Sequence, residues 1–151
     1  MKYLLLAVVC AAQIGCRSMH EHQVPPTRYD VPAGFDGWVI LEYGVAGAPA
    51  LPVDHGTRVV VIPAGGRLAT STPQQLGIIH NRFFFVAADG TRTAIVDADP
   101  IAPNAGHRAH PEPVISGFNT GTRPDGARTR TFESVHVGRG PAGDPPPWPD
   151  P

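Results

Sequence analysis

Short runs of β-branched and aromatic residues, separated by turn-forming residues, occupy the middle of the chain. Runs of this kind predict strands, and no window carries an apolar stripe of helical period and length, so the pattern predicts an all-β fold. The runs at 59–62 and 83–86 are continuous rather than alternating, which is typical of strands buried on both faces or central in a sandwich. The predicted strands are 38–43, 58–62, 67–71, 82–87, 92–96, 114–118 and 131–137.

Turn residues divide these strands and indicate how some of them pair. Asp89-Gly90 is the strongest hairpin signal, because this dipeptide tolerates the positive φ of a type I′ turn. We therefore expect 82–87 and 92–96 to form a hairpin, and 131–137 to pair with the main sheet. Phe35 and Trp38 are expected to plug one end of a small β-sandwich, the alternative being an exposed aromatic pair that binds a sugar ring.

The amino terminus has the pattern of an export signal. A basic start precedes an apolar stretch at 3–12, which is far shorter than the roughly 20 residues of a membrane-spanning helix. Gly15-Cys16 then resembles a bacterial lipobox, although Gln13 departs from the usual Leu. That resemblance implies that Cys16 is acylated and becomes the mature amino terminus. The alternative is an ordinary signal cleaved after Ala11 or Ala12.

Composition after the signal suggests a tether, one folded domain and a tail. Residues 99–151 contain 11 Pro and 7 Gly, a composition that resists packing. We expect a signal peptide at 1–15, the lipidated Cys and a tether at 16–29, a β-sandwich domain at 30–138, and a disordered Pro-rich tail at 139–151. The predicted location is the bacterial cell envelope, lipid-anchored at the outer membrane or facing the periplasm, the alternative being a secreted or periplasmic protein.

Charge and cysteine content exclude several classes of protein. The net charge of −1 provides no basic footprint for nucleic acid. Two cysteines rule out a disulfide-dense scaffold. Cleavage before Cys16 would remove both Cys10 and Lys2, leaving a mature chain with no Lys. The densest basic patch, formed by Arg123, Arg128 and Arg130, is either a solvated loop or a contact for anionic headgroups.

Candidate chemistry is sparse. The pair His107 and His110, close to Glu112, is the best metal-ligand group, but solvated loop residues are the plainer interpretation, and we expect no cofactor. The chain has neither a G-x-S-x-G nor an H-E-x-x-H motif. A triad or a carboxylate pair can be drawn only on paper, so no catalytic residue is assigned. The hypothetical triad is Ser71, His55 and Asp54, and the hypothetical carboxylate pair is Asp97 with Asp99.

Three segments carry a family resemblance: VPAGFDGW at 31–38, IPAGGRLATS at 62–71, and an aromatic strand with an Asp-Gly turn at 83–90. Together with the closing ESVHVG at 133–138, they resemble DUF6843, a family of bacterial exported and often lipid-anchored domains of unknown function. The resemblance covers roughly 29–138 and implies an exported β-domain, with no functional residues to transfer. The strand order also resembles transthyretin or prealbumin-type sandwiches.

These observations favour an envelope lipoprotein that acts as a non-catalytic binding or structural module. Its expected partners are the membrane, through the amino-terminal lipid, and an envelope protein or polysaccharide, with no nucleic acid. The alternatives are a secreted or periplasmic hydrolase and a His-based metal-binding protein. A pocket of mutually hydrogen-bonded polar residues with perturbed pKa values would favour the enzyme.

Overall fold

The computed structural model describes residues 24–75, 77, 80–98, 108–125, 128–145 and 147. Within this part of the chain every regular element is a strand, which confirms the all-β prediction. The strands are β1 (Thr27–Pro32), β2 (Gly37–Tyr43), β3 (Val53–Asp54), β4 (Thr57–Val61), β5 (Arg67–Ala69), β6 (Asn81–Val86), β7 (Arg92–Asp97), β8 (Val114–Asp125) and β9 (Arg128–Gly138).

The nine strands form one mixed sheet in the order β3-β4-β1-β6-β7-β8-β9-β2-β5. The sheet curls into a half-barrel, so the predicted transthyretin-like sandwich is not confirmed. β1 is flanked by two parallel neighbours, β4 and β6. β9 is antiparallel to both β2 and β8, as expected for a strand that joins the main sheet. Parallel pairing needs long crossover connections, which local turn signals do not reveal.

The concave side of the curled sheet holds the core. Side chains at alternate positions point inward, as in Tyr29 and Val31 of β1 and Val135 and Val137 of β9, all at most 1% exposed. Tyr29 stacks on Phe83 with ring centroids 4.4 Å apart. Burying each such side chain stabilises the fold by roughly 1.5–3 kcal/mol. The other buried members of this cluster are Val39, Leu41, Tyr43, Val60, Ile62, Ile95 and Ile115.

The two continuous apolar runs differ in how far they are buried. Val60 is completely buried, but Val61 is 59% exposed, and Phe84 is only half-buried. Val59 and Ile62 are buried as well, so the run at 59–62 is buried at three of its four positions, whereas only Phe83 is buried in the run at 83–86. The outer face is also covered in places, because Ile40 of β2 and Ser134 and His136 of β9, which alternate with the core residues of their strands, are at most 5% exposed.

The β6–β7 hairpin is confirmed, with Phe83 opposite Ile95. Its turn differs from the prediction, because Gly90 has a φ of 85° whereas Asp89 does not have a positive φ. The Gly90 N–H donates to the Ala87 carbonyl oxygen at 2.9 Å, and the Ala87 N–H donates to the Thr91 carbonyl oxygen at 2.9 Å. This is the arrangement of a type I turn followed by a left-handed glycine, not a type I′ turn.

Both ends of the described chain contact the sheet. β1 begins three residues before the predicted domain start at Asp30, and Thr27 in it is buried. After β9 the chain returns across the outer face, where the indole N–H of Trp38 donates to the carbonyl oxygen of Ala142 at 2.9 Å. The predicted signal peptide and Cys16 lie outside the described residues, and the boundaries at 15, 29 and 138 remain predictions. No helix in the described part is long and apolar enough to cross a membrane.

Candidate functional site

An open groove of about 650 Å³ lies beyond the carboxyl end of β1. Its volume falls within the roughly 300–1,000 Å³ typical of small-ligand pockets. Its lining combines apolar and charged side chains, as is usual in a binding cleft. The lining residues that matter most are Phe35, Phe85 and Val96 among the apolar ones, and Asp36, Thr93, Glu112 and Arg139 among the polar ones.

The turn after β1 builds one wall of the groove. The Phe35 N–H donates to the Pro32 carbonyl oxygen at 3.1 Å, and Gly34 adopts a φ of 81°, which side-chain-bearing residues rarely adopt. The Phe35 ring lies against Gly66, where an added Cβ would stand 2.9 Å from the ring and would collide with the Trp38 carbonyl oxygen. Phe35 therefore has a fixed position, as expected for an aromatic residue at one end of the core.

Charged side chains surround the mouth of the groove. The Asp36 carboxylate packs against Gly138 and accepts a hydrogen bond from the Arg139 N–H at 3.4 Å. The Arg139 guanidinium lies 3.5 Å from the Glu112 carboxylate, with the two side chains 61% and 79% exposed. An ion pair this exposed adds little stability, so both groups are available to a polar ligand at small cost.

A second polar cluster is buried within the concave side. Glu133 of β9 is 3% exposed and points inward, like Val135 and Val137. The Tyr29 hydroxyl donates to its Oε1, and the Tyr43 hydroxyl donates to its Oε2 at 3.3 Å. This carboxylate therefore joins β1, β2 and β9. We call Glu133, Tyr29 and Tyr43 the buried triad of the core.

Burial dominates the electrostatics of this triad. Loss of hydration raises the pKa of Glu133 above its ordinary value, although the two tyrosine hydrogen bonds and the charge of Arg58 lower it in part. Burial and the neighbouring Glu133 raise the pKa values of Tyr29 and Tyr43. Both tyrosines are therefore firmly protonated and remain hydrogen-bond donors to the carboxylate.

The space beside the buried triad is small. The cavity there measures about 10 Å³, which is the least room that one water molecule needs. The Arg58 guanidinium lies at this end and donates to Gln75 Oε1 at 2.7 Å. Asn81 Oδ1 is buried without a hydrogen-bond partner in the described protein. The triad thus has perturbed pKa values, but its cavity cannot hold an organic substrate.

The structure describes only one of the two predicted metal ligands, His110. His107 lies outside the described residues, and the His110 N–H donates to the Arg139 carbonyl oxygen at 2.7 Å. No group of three potential metal ligands occurs among the described residues. Metal binding by His107 and His110 stays a prediction.

The structure brings together only two of the three residues Ser71, His55 and Asp54, the hypothetical catalytic set of the sequence analysis. His55 Nδ1 lies 2.6 Å from Asp54 Oδ1 in the exposed β3–β4 turn. Ser71 instead donates its backbone N–H to Pro49, and no hydrogen bond in the described structure joins it to His55. Asp97 ends β7 on an exposed position, whereas Asp99 lies outside the described residues.

Sequence reasoning missed the buried triad and half of the groove. Glu133 could have been found, because it shares the inward alternation of Val135 and Val137 within a short strand. Phe85, Glu112 and Arg139 carry no such local signal. They reach the groove only because β6, β8 and β9 bring distant segments to the turn after β1.

A family model described as a family of unknown function, DUF6843, matches residues 23–141. The chain belongs to this family. The match spans all nine strands, and with them the groove and the buried triad, and it confirms the resemblance carried by the three sequence segments. No curated protein matches the chain.

The DUF6843 chain also has a similar solved structure. It superposes with a TM-score of 0.58 on the crystal structure of a putative lipoprotein from Bacillus anthracis. The two are 24% identical, and the alignment covers 85% of this chain and 83% of that chain. Similarity at this level shows a shared fold and leaves the activity open.

Proposed function

We propose that this DUF6843 protein is an envelope lipoprotein, anchored through Cys16, whose β-domain binds a polysaccharide segment without catalysis. The observation that carries the binding role is the open groove of about 650 Å³. The lipobox-like Gly15-Cys16 supports the anchor, and so does the Bacillus anthracis neighbour that is described as a lipoprotein.

The groove suits a saccharide because it combines ring faces with hydrogen-bonding groups. Phe35 and Phe85 offer apolar surface to the C–H face of a sugar. Asp36, Glu112 and Arg139 offer acceptors and donors to its hydroxyl groups. Trp38, the other aromatic residue of the opening motif, is held by Ala142 on the outer face of the sheet. Phe35 and Phe85, rather than Phe35 and Trp38, therefore form the aromatic pair that we propose binds the sugar ring.

A hydrolase is the second candidate, and one observation favours it: two carboxylates, Asp36 and Glu112, line the same groove. Glycoside cleavage uses such a pair, with one member a buried acid. Glu112 is 79% exposed, and Asp36 is engaged with the backbone N–H of Arg139. This arrangement supports binding better than cleavage. Release of reducing ends from an envelope polysaccharide, lost in Asp36→Asn and Glu112→Gln, would establish the hydrolase instead.

The anchor is tested by membrane fractionation and intact-mass analysis of the full chain expressed in a bacterial host. Wild type should appear in the membrane fraction with an acylated Cys16 at its amino terminus. Cys16→Ala should be soluble or keep its signal peptide. Cys10→Ala is the matched control and should behave like wild type, because that residue leaves with the signal. A soluble wild type cleaved after Ala11 or Ala12 would refute the anchor.

A further inference from the structure

The chain after β9 lies across the outer face of the sheet as a strap, which we define as residues 139–145 and 147. The indole N–H of Trp38 in β2 donates to the carbonyl oxygen of Ala142 at 2.9 Å. The guanidinium of Arg67, in the edge strand β5, donates to the carbonyl oxygen of Pro147 at 3.1 Å. Two of the strap residues are half-buried and the others are exposed. A segment with so little buried surface opens at small cost in free energy.

The strap crosses the outer face next to His136 of β9. Trp38 on β2 and Ser116 on β8 are the residues in register with His136 on its two sides. A Cβ added to Gly117 would stand 2.9 Å from the Trp38 ring and 3.2 Å from the Ala142 Cβ. Ala142 therefore lies between the two strands that flank β9, and the His136 side chain between them is only 5% exposed.

His136 is held in this place as a neutral imidazole. Its ring meets the Trp38 ring at 68°, with centroids 5.5 Å apart, and its Nδ1 lies 3.3 Å from Ser116 Oγ. Burial lowers the pKa of His136 from its ordinary value of 6.5, and the carboxylate of Asp36, in the turn before β2, opposes this in part. The residues that face the ring from β2, β8 and the strap, which are Trp38, Ser116 and Ala142, are uncharged.

Acid therefore weakens the docking of the strap. An imidazole that water reaches binds a proton more readily than the buried ring, so the released strap takes up more protons than the docked strap. As the pH falls from 6.5 to the lowered pKa of the docked His136, the ratio of released to docked strap rises by up to about tenfold per pH unit.

The strap begins at a residue of the groove, Arg139. Its guanidinium lies 3.5 Å from the Glu112 carboxylate, and its N–H donates to the Asp36 carboxylate at 3.4 Å. All three residues line the groove. Ala142 follows only three residues later, so its release removes a restraint on the backbone that positions the Arg139 guanidinium.

We propose that the strap is a pH-sensitive latch on the groove: it stays docked on Trp38 while His136 is neutral, and protonation of His136 releases it and loosens Arg139 at the groove mouth. The consequence for a ligand rests on the proposed function of the groove. The latch itself is a property of the chain without ligand, and it is tested in that state.

Nuclear magnetic resonance of the chain from Cys16 follows the latch from pH 7.5 to pH 5. The imidazole signals report the protonation of His136, and backbone order parameters report the motion of the strap at Ala142 and Gly143. We expect these order parameters to fall from about 0.85 to below about 0.6, with the same midpoint as the titration of His136. His80→Gln, which removes an exposed imidazole, is the matched control and should behave like wild type.

Two further variants separate the latch from a general loosening of the fold. His136→Gln cannot take up a proton, so its strap should stay ordered at pH 5. Trp38→Phe loses the donor to Ala142 and should move the midpoint of release upward by about 0.5–1 pH unit.

Three results would overturn the proposal: a wild-type strap that stays ordered while His136 titrates, a His136 that stays neutral at pH 5, or release in His136→Gln. None of them depends on a polysaccharide, so the latch can fail while the groove still binds its ligand, and the reverse.

Discussion

Replacing Glu133 with Gln should remove a pH dependence that the buried carboxylate gives to the stability of the fold. The wild-type carboxylate is 3% exposed and accepts hydrogen bonds from Tyr29 and Tyr43. Gln has nearly the same shape, and its oxygen can still accept from Tyr29. Its amide group can donate to the Tyr43 oxygen, as the protonated carboxyl of Glu133 would, so the substitution imitates the protonated form of the buried triad.

The size and sign of the effect follow from the raised pKa of Glu133. Between the ordinary value of 4.5 and the higher pKa in the fold, the folded chain binds more protons than the unfolded chain. The contribution of Glu133 to the free energy of unfolding is therefore fully present below about pH 4.5. It is lost as the pH rises through the folded pKa, by up to about 1.4 kcal/mol per pH unit. Glu133→Gln should match wild type at pH 4 and exceed it at pH 8.

The assay is urea unfolding of the mature chain, followed by tryptophan fluorescence at half-unit steps from pH 4 to pH 8. Glu112→Gln is the matched control, since it removes the same charge from a side chain that is 79% exposed and should shift stability by less than about 0.5 kcal/mol. If the Glu133→Gln and wild-type curves run parallel across this range, or if wild type is the more stable at pH 8, the reasoning about the buried triad is refuted.

Three further substitutions test the contacts that position the two sites. Gly66→Ala should destabilise the fold by about 2–4 kcal/mol in the same unfolding assay, because Gly66 has a φ of 74° and the new methyl group would collide with Phe35 and the Trp38 carbonyl oxygen. Neighbouring Gly65→Ala, where the added methyl group meets open space, should cost under about 0.5 kcal/mol, and equal effects would contradict this packing. Asp30→Ala should lower the free energy of unfolding by about 2 kcal/mol in thermal unfolding, since buried Asp30 accepts hydrogen bonds from Arg92 Nε at 3.1 Å and Nη2 at 2.9 Å. A loss no larger than that of Asp54→Ala, at an exposed carboxylate, would show that the Asp30–Arg92 ion pair contributes nothing. Tyr29→Phe should cost about 1–3 kcal/mol at pH 8 and less at pH 4, where protonated Glu133 needs one hydrogen-bond donor fewer. An equal loss at both pH values would argue against this hydrogen bond.

Local sequence patterns predicted the strands that coincide with short runs of β-branched and aromatic residues. β2, β6, β7 and β9 follow runs of β-branched and aromatic residues and were predicted within a few residues of their observed bounds. β1 was missed because Thr27–Pro32 mixes charged residues with a terminal Pro, and its inward alternation acquires meaning only between β4 and β6. β8 is longer than predicted, since it continues past a bulge between Ser116 and Asn119.

The candidate site shows the same division. The opening motif singles out Phe35 in the sequence, because an aromatic residue between turn glycines has few other uses. Its partners Phe85 and Arg139 come from strands whose order in the sheet has no local signature. The curling of one sheet, rather than the pairing of two, likewise depends on long-range register that turn residues do not specify.

The most direct test of the account is a two-dimensional NMR titration of the mature chain with soluble fragments of envelope polysaccharide. The account predicts shifts confined to backbone amides around the groove, chiefly Gly34, Asp36 and Thr93, and their loss in Phe35→Ala with Arg139→Ala. Amides near the buried triad, such as Glu133, should stay unmoved in the same spectra. Shifts centred elsewhere, or none at millimolar fragment concentration, would contradict the assignment of the groove as the binding site.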